Sequence, residues 1–285
     1  MTSVTREEFY VRMVMKILPV LLFICLAGCT SKRVISHRNI VYNERSGQRL
    51  DTFSPTDEIP KGTVIFVHGG RWRAGNKWQY GFFGKALARR GYSTVVINYR
   101  LSKAAGYHGM ANDVALSVKW VQDHMSTDNG GAARIFVAGH SAGGHLAALV
   151  ATDPSYFDSL AVNPVQGVLL VDAFGLDMNR YLSRHPNKRK SVYCRVFTRD
   201  SVNWKAASPA TYLRDGLPPF LLLVGDKTFN VIKEDNFEFF YNLKEYQPEA
   251  RLKIIRHRRH AGMILQFRKR NSAVLEPVLE FLEGS

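Results

Sequence analysis

Between residues 134 and 150 the chain reads Arg134-Ile135-Phe136-Val137-Ala138, then Gly139-His140-Ser141-Ala142-Gly143, then a helix-forming run from His145 to Val150. A short apolar run, a G-x-S-x-G and a helical run in that order predict a strand, a very tight bend and a helix. Glycine fits beside the serine where a side chain would collide, and the bend lifts the serine hydroxyl clear of the sheet edge. A matching signal lies upstream, where the buried-strand pattern Thr63-Val64-Ile65-Phe66-Val67 runs into His68-Gly69-Gly70. Glycines there let the main chain come close to a developing oxyanion. The backbone N–H groups of Gly69 and Gly70, with that of Ala142 after the serine, are the candidate donors, each worth about 2.7–4 kcal/mol in a transition state.

Hydrophobic periodicity fills in the rest. Residues 33–42 and 48–53 read as an early strand pair. Further strands are expected at 63–67, 94–99, 134–138, 166–171, 220–224 and 252–255, with helices near 79–90 and 110–125, one following the bend to about 152, and helices near 232–245 and 271–283. Apolar strands alternating with helices imply an α/β fold, a mostly parallel sheet covered on both faces. Residues 174–215 break the rhythm with basic and aromatic residues and are expected to form a small cap. With 285 residues and 46% hydrophobic composition, the chain suits one large domain over 29–285.

The first 28 residues read differently. Arg6, Arg12 and Lys16 precede an apolar run from Ile17 to Leu26, too short to span a bilayer comfortably, which ends in Leu26-Ala27-Gly28-Cys29. That ending resembles the lipobox of exported bacterial lipoproteins. The expectation is a signal peptide over 1–28, lipidation of Cys29 and a membrane-anchored protein of the cell envelope. Cleavage would leave Cys194 as the one free thiol, which excludes an intramolecular disulfide. No Cys/His spacing suggests a metal, and no cofactor is expected.

The formal charge is +15, concentrated in Arg184 to Lys190, Arg256 to His260 and Arg268-Lys269-Arg270. No nucleic-acid recognition motif accompanies it. Solvated surface is the default reading of this charge; a membrane-anchored protein beside anionic head groups or polysaccharide explains it as well, and a basic rim steering an acidic substrate is the alternative.

A serine on such a bend needs an acid and then a histidine after it along the chain. His260 opens His260-Ala261-Gly262-Met263 just after the last expected strand; His257 lies three residues earlier. His140 and His145 flank the bend and read as packing residues, and His68 as the anchor of the glycine loop. For the acid, Asp226 is the nearest carboxylate after strand 220–224. Asp235 and Glu234 lie further on, and Asp172 ends the preceding strand.

His68-Gly69-Gly70-Arg71-Trp72 together with Gly139-His140-Ser141-Ala142-Gly143-Gly144-His145-Leu146 resembles the α/β-hydrolase esterases related to kynurenine formamidase. Their patterns are H-G-G-x-W and G-H-S-A-G-x-H-L. The resemblance extends through Asn98-Tyr99-Arg100, Trp204, Ala207-Ser208-Pro209 and His260-Ala261-Gly262-Met263, about residues 60–265. It implies the α/β-hydrolase fold, Ser141 as nucleophile, His260 as base, Gly69, Gly70 and Ala142 at the oxyanion, and Trp72 lining the acyl side of the pocket. The family's usual acid position, three residues after the glycine ending the strand, is occupied by Thr228. The activity implied is hydrolysis of small-molecule carboxylic esters; polysaccharide-linked esters are a further expectation that rests on the expected surface location. An aryl-formamide amidase and a non-catalytic surface binding protein that keeps the fold are the alternatives.

Overall fold

A computed structural model describes residues 33–125, 134–186 and 191–284, and the expected signal segment and Cys29 lie outside them. In chain order the strands are β1 Val34–Asn43, β2 Gln48–Pro55, β3 Thr63–Val67, β4 Ser93–Ile97, β5 Ile135–His140, β6 Gly167–Val171, β7 Phe220–Gly225 and β8 Arg251–Ile255. The helices are α1 Gly81–Ala88, α2 Tyr107–His124, α3 Ala142–Thr152, α4 Ser155–Asp158, α5 Met178–Arg184, α6 Val192–Phe197, α7 Ser201–Ala206, α8 Asn230–Lys244, α9 His260–Leu265 and α10 Leu275–Gly284. All eight strands form one sheet in the order β1-β2-β4-β3-β5-β6-β7-β8. The pairs β1–β2 and β2–β4 are antiparallel, and every later pair is parallel.

The parallel strands are apolar throughout because both of their faces are covered. Along β3, Ile65 and Val67 enter one core while Val64 and Phe66 enter the other, and β5 divides Ile135 and Val137 from Phe136 and Ala138 in the same way. Pleating sends successive side chains to opposite faces, so a strand sealed on both sides cannot alternate with polar residues. One core holds the buried stripe of α2 (Val114, Val118, Val121) and the run Leu146 to Ala151 of α3; the other holds Phe83 and Leu87 of α1 with Val278 and Phe281 of α10.

Helix α1 lies so close to β2 that a Cβ added at Gly84 would enter the Phe53 ring. Between β6 and β7, where a cap was expected, the described residues form the short helices α5, α6 and α7. No described helix is long and apolar enough to cross a membrane.

Candidate active site

Ser141 sits between β5 and α3 with φ 55° and ψ −122°, a left-handed conformation that side chains other than glycine rarely adopt. Such strain costs about 1–3 kcal/mol and persists only where the surroundings hold it. Here the Ser141 N–H donates to the Val171 carbonyl at 3.1 Å, and the Ser141 carbonyl accepts from the N–H groups of His145 and Phe174 at 3.2 Å each. Both glycines of the motif are required by close approach. A Cβ at Gly139 would strike the Gly143 carbonyl, and one at Gly143 would strike the Val67 carbonyl and lie 2.5 Å from that of His68. Ala142 is the first residue of α3, so its N–H has no partner inside the helix and lies at the positive end of the helix dipole.

The glycine loop after β3 passes directly beside this bend. A Cβ at Gly69 would lie 3.2 Å from the Ser141 Cβ, and Gly70 has φ 133°, where a Cβ would run into Ala74. His68 anchors the loop: its Nδ1–H donates to the Gly69 carbonyl at 2.8 Å, and the Tyr99 hydroxyl donates to its carbonyl at 3.0 Å. Burial lowers the His68 pKa to about 4, so the ring is neutral.

His260 opens α9 just past β8. Its Nδ1–H donates to Asp172 Oδ2 at 3.1 Å, and 21% of its side chain remains exposed. Asp172 follows β6 directly and is fully buried. Its second carboxylate oxygen accepts the Gly225 N–H at 2.8 Å. The expectation that Asp226 serves the histidine is therefore corrected. The Asp226 carboxylate instead accepts main-chain N–H bonds from His257 and from Arg258 (3.0 Å), and these bonds hold it below the usual carboxylate range. It braces the turn that delivers His260 and does not meet the ring.

Nor does Asp235 reach the histidine. It is buried and accepts the N–H groups of Gly175, Leu176 and Asp177, fixing the chain as it leaves β6; burial raises its pKa. Glu234 is exposed on α8.

Trp72 also differs from expectation. It is 1% exposed and packs edge-on against His145, Tyr193 and Phe197, so it is a core side chain and not a pocket wall. Its Nε1–H donates to His145 Nδ1 at 3.2 Å. An indole donates only, so His145 carries its proton on Nε2 and donates it to the Ala207 carbonyl at 2.7 Å. This relay ties the glycine loop to the segment ahead of β7, and burial keeps the His145 pKa down at about 4.

Two neighbours of His260 do not follow from the sequence reading. His140 stacks on the His260 ring with centroids 4.7 Å apart and donates from Nε2 to the His260 carbonyl at 3.3 Å; burial lowers its pKa to about 3. Phe229 lies on another side, 5.6 Å from the ring centroid, and is 63% exposed. Neither residue belongs to a recognisable motif position for this role.

A single mostly parallel sheet with a strained serine between β5 and α3, and a histidine–carboxylate pair on the same edge, defines the α/β-hydrolase fold class. The family described as BD-FAE matches over residues 50–242, and the chain belongs to that family. Among curated relatives, an isoprenylcysteine alpha-carbonyl methylesterase of Arabidopsis thaliana is 24% identical over 268 residues, covering 88% of this chain and 62% of that protein. Kynurenine formamidase of Danio rerio is 31% identical over 166 residues, covering 57% of this chain and 54% of that protein. The chain thus spans between half and two thirds of these relatives' lengths. Among solved structures, esterase B of Lactobacillus rhamnosis inhibited by a tributyrin phosphonate superposes with a TM-score of 0.71 at 20% identity, covering 98% of this chain and 95% of that one.

Proposed function

We propose that this protein is a serine hydrolase of carboxylic esters, with Ser141, His260 and Asp172 as its triad. The Asp172–His260 pair, with its carboxylate fully buried, carries the reading. It fixes the histidine tautomer with the proton on Nδ1, which leaves Nε2 as the base. Parallel pairing puts His140 level with Val171, so Ser141 and Asp172 leave adjacent strands side by side. Nε2 takes the Ser141 proton as Oγ bonds to the ester carbonyl carbon. The negative oxygen is held by the N–H groups of Ala142 and the Gly69-Gly70 loop. Collapse breaks the carbon–oxygen bond to the alcohol, which receives the proton from Nε2. Water, deprotonated by the same nitrogen, then releases the acid and frees Ser141.

The test is hydrolysis of p-nitrophenyl acetate and butyrate by the purified chain beside Ser141→Ala. A loss of at least about a thousandfold in kcat is expected, and equal rates would overturn the reading. Similarity to kynurenine formamidase favours a second reading, amide hydrolysis of an aryl formamide by the same residues. Turnover of N-formylkynurenine faster than of the esters would select it.

The Leu26-Ala27-Gly28-Cys29 sequence after an apolar run supports a further reading, anchorage to a cell-envelope membrane through a lipidated Cys29. Metabolic labelling with a palmitate analogue should mark the chain and fail to mark Cys29→Ala.

A further inference from the structure

Charge is distributed unevenly between the two edges of the sheet. The turns at the amino ends of the parallel strands mix signs: Asp57, Glu58 and Lys61 before β3, Arg89 and Arg90 before β4, Glu245 and Glu249 before β8. The loops at the carboxyl ends, where Ser141 and His260 sit, carry Arg71, Arg73, Lys227, Arg256, Arg258 and Arg259. Three carboxylates on this edge are engaged, while Glu234 in the first turns of α8 is exposed. Asp172 serves His260, Asp226 accepts main-chain N–H groups, and Asp177 caps α5. The cations concentrate beside the base, since Arg256, Arg258 and Arg259 lead into His260 and the Lys227 N–H donates to the Arg258 carbonyl at 3.0 Å. Arg258 Nε is buried with no hydrogen-bond partner among the described residues.

Proton delivery decides which part of the substrate meets this cluster. His260 gives its proton to the departing oxygen, so the leaving group must lie against the open side of the His260 ring. The exposed ring of Phe229 lies 5.6 Å from the His260 ring centroid, and Arg256 and Arg259 are exposed in the turn that leads into His260. A flat apolar wall next to several cations fits a flat leaving group that carries a negative charge.

We propose that the esters hydrolysed here have an anionic, planar alcohol portion, seated on Phe229 with its charge toward Arg256 and Arg259. The proposal rests on the hydrolase reading above and adds the substrate class to it. The anion could be a carboxylate, a sulfonate or a phosphate; the recognition chemistry is shared.

The experiment compares 4-acetoxybenzoate with methyl 4-acetoxybenzoate, and uses phenyl acetate as a neutral reference. The methyl ester has the better leaving group, so intrinsic reactivity opposes the predicted preference. At low ionic strength kcat/KM should favour the carboxylate by about tenfold, the gain two partly exposed ion pairs supply. The ratio should fall toward one in roughly 0.5 M NaCl, where the screening length shrinks to a few ångströms. It should also fall in the double variant Arg256→Gln/Arg259→Gln, and Phe229→Ala should raise KM for both aryl esters. A ratio at or below one in the unaltered protein, with Ser141-dependent turnover of phenyl acetate intact, overturns the proposal and leaves the hydrolase reading standing. Failure to turn over phenyl acetate as well removes both.

Discussion

Replacing Asp172 with asparagine tests the site most sharply, because the structure dictates how the new side chain must sit. The carboxylate accepts from two donors at once, His260 Nδ1–H on one oxygen and the Gly225 N–H on the other. An amide has one acceptor oxygen. Turning its NH2 group toward Gly225 would set two buried donors against each other, at a penalty of about 1–3 kcal/mol. The oxygen therefore stays with Gly225 and the NH2 group faces the imidazole. His260 Nδ1 must then accept, its proton moves to Nε2, and the ring can no longer take the serine proton. That exchange of tautomer is worth about 10⁴ in kcat, or about 5.4 kcal/mol at 1.36 kcal/mol per tenfold. Asp226→Asn keeps an oxygen for the Arg258 N–H and at most weakens the His257 contact in the same turn, leaving the Asp172–His260 pair in place, so kcat should fall by less than about tenfold. Both variants would be assayed with p-nitrophenyl butyrate after circular dichroism has established that they melt like the parent. The reasoning fails if Asp172→Asn keeps more than about a tenth of the activity, or if Asp226→Asn falls as far.

Gly143→Ala should cost more than about 3 kcal/mol, seen as a lower urea midpoint, because the new methyl meets main-chain carbonyls of β3 and its loop that cannot retreat; an unchanged midpoint would contradict the packing described. Trp72→Ala should destabilise by about 3–5 kcal/mol as a core deletion, and Trp72→Phe should leave KM within about twofold; a large rise in KM with stability intact would restore Trp72 to the pocket. His68, His140 and His145 are held neutral with pKa values of about 4, 3 and 4, below the unfolded value of about 6.5. Between about pH 6.5 and 4 the unfolded chain binds more protons than the folded one. Stability is thus present above that window and lost as pH falls through it, by up to about 1.4 kcal/mol per pH unit for each ring. Urea midpoints that stay level between pH 7 and 5 would refute this.

The sequence announces what is local. The strand–bend–helix around Ser141, the glycine loop after β3 and the histidine after the last strand all sit where short-range pattern puts them. β3 matches its expected limits; the other strands and the helices differ from theirs by a few residues. The acid is a different kind of fact. Which carboxylate meets His260 depends on β6 lying between β5 and β7 and on where two loops turn their side chains. Asp226 is nearer in the expected chain order but faces its own turn. The available signal was a carboxylate placed immediately after the buried strand Gly167–Val171, since a charge there requires a partner. Trp72 was misjudged for a related reason. A motif reports that an indole is needed, and only packing tells whether it faces a ligand or the core.

His260 hangs from β8, an outermost strand of the sheet. β8 pairs with β7 on one side only, and most of its residues are partly or fully exposed. Ser141, by contrast, leaves a central strand sealed on both faces. Heating should therefore loosen the two halves of the reaction centre at different temperatures. Turnover would fade while the bulk of the sheet was still intact, and would return on cooling, so that the edge of the sheet sets the working limit of the catalyst.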